Sequence, residues 1–252
     1  MSSHQRGIQT VEFSGKILQL VCSSPKALSL SEIAETMQLA PGSAYKYLVS
    51  LLRTGLLKRN PSTLEFEAGS LSLRLGLSKI NHDATLVQVR HALTNLAEKY
   101  QLNVFASMWS KINGPTVMFY KETGGFFHIG FRLGIRLSLN RTASGRIFAA
   151  YQDLQSLNEY SQRIGESEYT VLKQAEFQDT LQQIRIKGYS SLAGTPTPDI
   201  TSYAVPVFDA TGKFIMAITA FCQSEAINEE LEEVLITDLK TIAASLKEQK
   251  HG

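Results

Sequence analysis

The sequence predicts an α+β protein. An N-terminal helix-turn-helix backed by a β-hairpin leads through a connector helix into a C-terminal mixed α/β domain with an antiparallel sheet. Three observations predict it. Residues 29–52 hold helix-start signals in register with a tight turn, and residues 83–100 carry one long apolar stripe. From Asn103 onward, strand-like runs alternate with Gly and Pro turns and further helices. At 252 residues, 43% apolar and 19% charged, the chain has a globular composition and the length for two domains of ordinary size.

In chain order, Val11, Ile17, Leu18, Leu20 and Val21 suggest a first helix over 11–21, which Pro25 stops. Ser29 followed by Glu32 is a capping box that opens a second helix, with Ile33, Ala34 and Met37 as a short apolar stripe. The chain turns at Gln38-Leu39-Ala40. Pro41 suits the first position of a third helix, because its missing N–H is an orphan donor there anyway. In that helix Ala44, Tyr47, Leu48 and Leu51 share one side, and Gly42, Ser43, Lys46, Ser50 and Arg53 share the other. After Gly55, two strands (56–59 and 64–67) flank the turn cluster Asn60-Pro61-Ser62-Thr63. A small-polar-basic helix face with a basic hairpin behind it is the pattern of a winged helix-turn-helix, whose second helix enters the major groove. The expected DNA-facing residues are Ser29, Gly42, Ser43, Tyr45, Lys46, Ser50, Arg53, Lys58, Arg59, Asn60 and Ser62. An ordinary helix pair packed in a core gives part of the same pattern.

Beyond the wing, Leu71, Leu73, Leu75 and Leu77 alternate strictly, which on period alone reads as a strand. Residues 83–100 form an amphipathic connector helix through Leu86, Val89, Leu93, Leu96, Ala97 and Tyr100. Two strands (104–109 and 116–121) follow, separated by Asn113-Gly114-Pro115. A Gly-rich stretch from Gly124 to Gly134 holds His128 and Arg132, with Arg136 and Arg141 just beyond. Helices are expected over 144–151, 154–163 and 176–187, the last stopped by Gly188. Residues 202–208 and 213–221 form a strong hairpin across Asp209-Ala210-Thr211-Gly212, and Asn228 to Lys247 closes as a helix with Leu231, Val234, Leu235 and Leu239 on one side. The expected domains are 1–78, 79–102 for the connector, and 103–252.

Net charge is only +2, but residues 1–75 carry eight Lys/Arg against five Asp/Glu, so the excess lies on the helix-turn-helix side. No run approaches 18 apolar residues, and the N-terminus lacks a signal-peptide core, so a cytoplasmic protein with no membrane partner is expected. Cys22 and Cys222 lie in apolar stretches without metal-ligand spacing and read as buried reduced thiols. No metal site and no cofactor is expected.

The order of these landmarks resembles the IclR family of bacterial transcriptional regulators, over nearly the whole chain. Leu28 to Ala34 looks like the opening of that family's second helix. Leu39 to Leu51 aligns with its recognition helix without gaps, with Ser43 at the usual Thr/Ser and Lys46 at the usual Arg. Phe66-Glu67-Ala68-Gly69 and Leu75-Gly76 match signatures after the wing, where the family has a helix, and this overrides the strand reading of 71–77. Thr142 to Arg146 with Phe148-Ala149, Gly188-Tyr189, and Tyr203 to Asp209 with Gly212 resemble elements of its second domain. The sequence departs at Lys46, which loses bidentate geometry, at Ala68 in place of a packing Leu, and at 190–201, which lacks an acidic run and leaves Asp199 a weak candidate.

The resemblance implies a C-terminal effector-binding domain and a DNA-binding regulator, repressor or activator, acting as a homodimer or tetramer on an operator. It places pocket-lining positions at Ser202, Thr219 and Phe221. From the residues themselves, Ala143-Ser144-Gly145 opens a helix whose backbone N–H groups could hold the carboxylate of a small organic acid, although Ser144 also reads as a plain N-cap. Met108, Tyr120 and Leu133 are candidates for an apolar wall. No Gly-x-Ser-x-Gly, P-loop, dinucleotide fingerprint or zinc-spaced His/Cys pair occurs, so no catalytic residue is assigned. Two alternatives stay open: an enzyme on residues 103–252 with the N-terminal domain as a tether, and a winged helix that docks on protein.

Overall fold

The computed structural model describes residues 7–123, 132–162 and 166–246; of His82 and residues 166–169 it describes the backbone. The chain divides into two compact units, Met1–Ala84 and Thr85–Gly252.

In the first unit α1 (Gln9–Ser23), α2 (Leu30–Thr36) and α3 (Pro41–Arg53) precede a two-stranded wing, β1 (Leu57–Arg59) and β2 (Phe66–Ala68), and then α4 (Ser70–His82). The expected signals act as read. The Ser29 hydroxyl accepts the Glu32 N–H and the Glu32 carboxylate accepts the Ser29 N–H, at 3.2 and 2.8 Å. Gln38 takes a positive φ in the turn, and Pro41 occupies the first turn of α3. Ile17, Val21, Ile33, Leu48, Leu51, Leu57 and Phe66 close a small core between the three helices and the wing. Residues 70–82 are helical, despite the alternating leucines: Leu73, Leu75 and Leu77 are all exposed, so no strand face was there to bury them. Cys22 is exposed, contrary to the expectation of a buried thiol, because it follows the buried Val21 onto the outer side of α1; Cys222 is buried.

Helix α5 (Ala84–Tyr100) starts on the last residue of the first unit and runs on as the opening helix of the second, followed by β3 (Asn103–Ser110) and β4 (Gly114–Lys121). Helices α6 (Ala143–Tyr151), α7 (Leu154–Ser161), α8 (Glu166–Lys173) and α9 (Ala175–Lys187) lead to β5 (Ser190–Ala193), β6 (Ile200–Phe208), β7 (Phe214–Gln223) and α10 (Glu229–Ser245). The five strands form one antiparallel sheet in the order β4-β3-β7-β6-β5. Side chains alternate across it. Val104, Ala106, Ile218, Ala220 and Val205 face a core shared with α5 and α10, where Leu86, Val89, Leu93, Leu96 and Ala97 insert. Ala204 and Ala217 face the other way, against α6 and α9. Lys99 and Tyr100 of α5 both bond the Asp238 carboxylate of α10, at 2.7 and 2.8 Å, tying the two helices on that face.

Several expectations are corrected here. The break at 113–115 lies partly within a strand: Gly114, at positive φ, opens β4, and Pro115 is paired in the sheet. Strand β5 and helix α8 were not anticipated, being short and without a clear apolar period. On α10 the buried stripe runs through Leu235, Ile236 and Leu239, whereas Val234 is 45% exposed. Ser144 is not the N-cap of α6; Thr142 is, and its hydroxyl accepts the Gly145 N–H at 2.9 Å.

Candidate functional site

Two surfaces bring chemistry-bearing residues together, one on each unit. On the first, α3 buries Ala44, Leu48 and Leu51 and turns Gly42, Ser43, Tyr45, Lys46, Ser50 and Arg53 to solvent. A Cβ at Gly42 would meet nothing within 4 Å, so the face is open at the start of the helix. Ser43, Lys46 and Ser50 share a shallow cleft with Thr10 and Ser14 of α1. Neither Lys46 nor Arg53 forms an ion pair among the described residues. The wing residues are used differently. Arg59 Nε donates to the Leu64 carbonyl at 2.9 Å, with its guanidinium 5.4 Å from the Phe66 ring centre. Asn60 Oδ1 accepts the Ser62 and Thr63 N–H groups, and Lys58 pairs with Glu67 at 3.1 Å. Ser29 spends both its groups on the α2 cap. Arg59, Asn60 and Ser29 thus build the local structure as well as facing outward or flanking α3.

On the second unit, the side of the sheet opposite α5 leaves a cavity of ≈ 360 Å³ beside the start of α6. Its floor comes from register. Phe105 pairs with Thr219 across β3 and β7, and Ser202 pairs with Phe221 across β6 and β7, so all four point to the same side. One wall is the chain from Ile135 to Ser144, and the other is Thr195-Pro196-Thr197. The Phe105 and Phe221 rings lie 5.9 Å apart, tilted by 55°.

Among the described residues Arg136 is the one charged residue lining this cavity, and it is exposed. Its Nη1 donates to the Tyr160 hydroxyl at 2.9 Å. Tyr160 is held in turn by an edge contact with Trp109 and by close approach to Gly114, where a Cβ would strike its ring. Most lining hydroxyls already have partners: Ser144 shares a 2.6 Å hydrogen bond with Ser107, Thr142 Oγ1 donates to the Ser138 carbonyl, and Ser202 Oγ donates to the Leu192 carbonyl. Thr219 differs. It is 1% exposed, and its hydroxyl has no hydrogen-bond partner.

Of the nine candidate effector residues, Ala143, Ser144, Ser202, Thr219 and Phe221 line the cavity together. Four do not. Met108 sits one residue off the required strand parity and packs toward α5. Leu133 is 63% exposed. Gly145 lies against the Ser138 carbonyl, where a Cβ would clash. Tyr120 stands behind the floor, stacked on Phe221 at 6.4 Å and 13°; burial, then Glu122, push its phenol up to about 12. Arg132, Arg141, His91 and Asp199 are exposed, and none of them lines the cavity; His128 lies outside the described residues. Sequence reasoning missed Phe105, Leu137, Ile200 and the 195–197 wall. Only the odd-numbered parity of Phe105 with Ser107 could have signalled the first.

A winged helix-turn-helix followed by an α+β unit with an apolar cavity defines the class of ligand-responsive transcription regulators. The matches are consistent and specific. Residues 14–61 match the IclR helix-turn-helix domain, and residues 88–248 match the bacterial transcriptional regulator IclR C-terminal family. The chain belongs to the IclR family of bacterial transcriptional regulators. It is 25% identical over 218 residues to the HTH-type transcriptional regulator BhcR of Paracoccus denitrificans, covering 84% of this chain and 77% of that one. It is 24% identical over 221 residues to the glycerol operon regulatory protein of Streptomyces coelicolor, covering 81% and 80%. Among solved structures, an IclR-type transcriptional regulator from Alicyclobacillus acidocaldarius superposes with a TM-score of 0.79 at 21% identity, over 96% of this chain and 98% of that one. An IclR homologue from Microbacterium hydrocarbonoxydans complexed with 4-hydroxybenzoate gives 0.75 at 16%, over 95% and 98%. No helix of the described residues is long and apolar enough to cross a membrane.

Proposed function

We propose that this regulator couples operator binding by its first unit to occupancy of the second unit's cavity by a small carboxylic acid. The observation that carries the reading is the buried, unpartnered Thr219 hydroxyl inside an apolar cavity whose charged lining residue is the cation Arg136. An unmade hydrogen bond in a buried site costs about 1–3 kcal/mol, which a ligand's polar group would recover. The start of α6, with Ala143 and Ser144 in the wall, adds a partial positive charge on the same side. The 4-hydroxybenzoate held by the Microbacterium hydrocarbonoxydans homologue is an acid of the same general kind.

In this reading residues 1–78 read DNA, residues 79–102 transmit, and residues 103–252 sense and oligomerise. Gly42, Ser43, Tyr45, Lys46, Ser50 and Arg53 face the groove, with Lys58, Arg59, Asn60 and Ser62 on the wing beside it. A homodimer or tetramer would set two recognition helices about 34 Å apart on a pseudo-palindromic operator. The acid acts by binding one arrangement of the oligomer better than the other, and its reach is limited to that difference in affinity. In this reading the protein works in the cytoplasm as a regulator, and Ser144 is not set up as a nucleophile: it is partnered by another hydroxyl, Ser107, which is no general base.

Two measurements on the full chain test this. Binding to DNA upstream of its own gene, followed by fluorescence anisotropy, should weaken by about 1–3 kcal/mol in the Lys46→Ala, Arg59→Ala double variant, with a shallower salt dependence. A thermal-shift screen of keto, sugar and aromatic acids should raise the melting temperature, because a ligand of the native state at 100 times its Kd adds about 2.7 kcal/mol. The rise should be lost in Arg136→Met. Unchanged DNA affinity would remove the assigned reading face, and a flat screen would remove the acid effector.

A further inference from the structure

The reading end of α3 is chemically narrow. A helix in the major groove presents its N-terminal residues to the base edges, and each base has its own matching side chains. Asn and Gln pair with adenine, Asp and Glu with cytosine, Arg and Lys with guanine, and apolar groups with the methyl of thymine. The exposed residues over the first two turns are Pro41, Gly42, Ser43, Tyr45 and Lys46. None of them is Asn, Gln, Asp, Glu or Arg, so adenine and cytosine have no dedicated partner there. Arg53 is in the last turn, about 10 Å farther along the axis than Lys46. Ser50 turns its hydroxyl back onto the Lys46 carbonyl, at 3.2 Å. Lys46 is a point charge without the planar fork that grips guanine in two places, and it suits a phosphate equally well.

That leaves Tyr45. Helix α3 carries two tyrosines, and the fold uses one of them. Tyr47 is half-buried, with its ring centre 4.9 Å from that of Phe13 in α1. Tyr45 is 43% exposed, and among the described residues it makes no ring contact, hydrogen bond or ion pair. Its ring is the one large apolar surface at the base-facing end of the helix, and the thymine methyl is the apolar group that the major groove displays. Gly42 lies one turn earlier on the same side, with nothing within 4 Å of where a Cβ would stand, so the backbone can settle close to the base edges.

We propose that Tyr45 is a specificity-determining residue whose ring reads thymine methyl groups in each operator half-site. The proposal rests on α3 being the DNA-reading helix, and adds which base it selects and which side chain selects it. One methyl removed from water is worth roughly a four-fold change in affinity, and two half-sites multiply this to about ten-fold or more.

The test uses the full chain and the fragment that it retains most tightly from its sheared source genome. That fragment is copied by PCR with dTTP, with dUTP in its place, or with 7-deaza-dGTP in place of dGTP. Uracil keeps every hydrogen-bonding group of thymine and lacks only the methyl, whereas 7-deazaguanine loses the N7 acceptor. Affinities are read by fluorescence anisotropy at one fixed salt concentration, because phosphate contacts make all of them salt-dependent. Wild type should bind the uracil copy ten-fold or more weaker than the thymine copy, and the 7-deazaguanine copy less than three-fold weaker. In Tyr45→Ala the uracil penalty should shrink below three-fold, while Tyr45→Phe, which keeps the ring, should retain it. The wild-type comparison needs no variant and stands whatever the stability of the two substituted proteins. Equal binding of the uracil and thymine copies to wild type would overturn the proposal. So would an undiminished uracil penalty in Tyr45→Ala, which would mean that the methyl groups act through the shape of the duplex. Loss of the penalty in Tyr45→Phe would hand the contact to the hydroxyl and overturn the ring. A 7-deazaguanine penalty larger than the uracil one would make guanine the base that α3 reads, and would overturn it too. Retention of no genomic fragment would remove the DNA reading itself, and the proposal with it.

Discussion

In the first unit the outward residues Gly42, Ser43 and Lys46 are ones the fold does not use, while Ala44, Leu48 and Leu51 on the same helix close the core. In the second unit the corresponding separation is absent. Phe105 and Phe221 floor the cavity and also belong to a buried cluster with Val117, Leu137 and Ile200, and Ser144 is fully buried against β3. A helix face that the core does not use can be changed residue by residue at little structural cost. A cavity inside the sheet cannot, because each lining side chain is also part of the packing. The lesson is that a substitution's effect on function and on stability should separate in the first unit and merge in the second.

The sharpest way to break this contrast is Gly145→Ala. A Cβ there would collide with the Ser138 carbonyl, so the loop that forms the cavity wall would have to move away from α6. The expected loss is more than about 4 kcal/mol, in the range reserved for severe core defects. Amide hydrogen exchange on the full chain should show it as lost protection in 137–151 and the sheet, with residues 9–68 unchanged. Protection lost equally in both regions would mean that the units do not hold their stability separately. A smaller effect is expected at Ser29→Ala, which removes one half of the capping box: about 1 kcal/mol, read as faster exchange in 30–36 alone.

The smallest effect is a pH dependence confined to the first unit. The hydrogen bond from Lys26 Nζ, and then the Ser29 N–H and hydroxyl, hold the Glu32 carboxyl down to about 2. A carboxylate lowered in the folded state stabilises it at every pH above its unfolded value, about 4.3, and that contribution is lost as pH falls toward about 2. Melting of wild type and Glu32→Gln should therefore converge on acidification through that window. Curves that stay parallel would show that the cap is not ionic.

How much was legible beforehand follows the same division. The helix-turn-helix was readable because its signals are local: Ser29 with Glu32, Pro41 at the helix start, and an apolar spacing that fits one turn after another. The alternating leucines at 71–77 were locally misleading, since alternation carries information only where a sheet face exists to bury one side. In the second unit the α6 opening was visible and contributed Ser144, and the β6–β7 hairpin was visible too, but Ser202, Thr219 and Phe221 on it were marked as pocket positions by the family resemblance and not by any local pattern. Phe105 was not, because its place on the floor depends on which residue of β7 it pairs with. Met108 failed for the same reason in reverse: strand pattern reports that faces alternate, not which face meets which layer. Nor did any local pattern bring Thr195, Pro196 and Thr197 to the rim, for they arrive there through the turn between β5 and β6.

Strand β7 is a partition only one side chain thick on each side. Thr219 and Phe221 belong to the chamber, and their immediate neighbours Ile218 and Ala220 press on the layer that holds α5. Since such an interior has no slack, a guest that displaces the chamber's base by a fraction of an ångström must also be felt in the far layer, with no hinge required. A single residue, Asp83, separates α5 from the last helix of the DNA-reading unit.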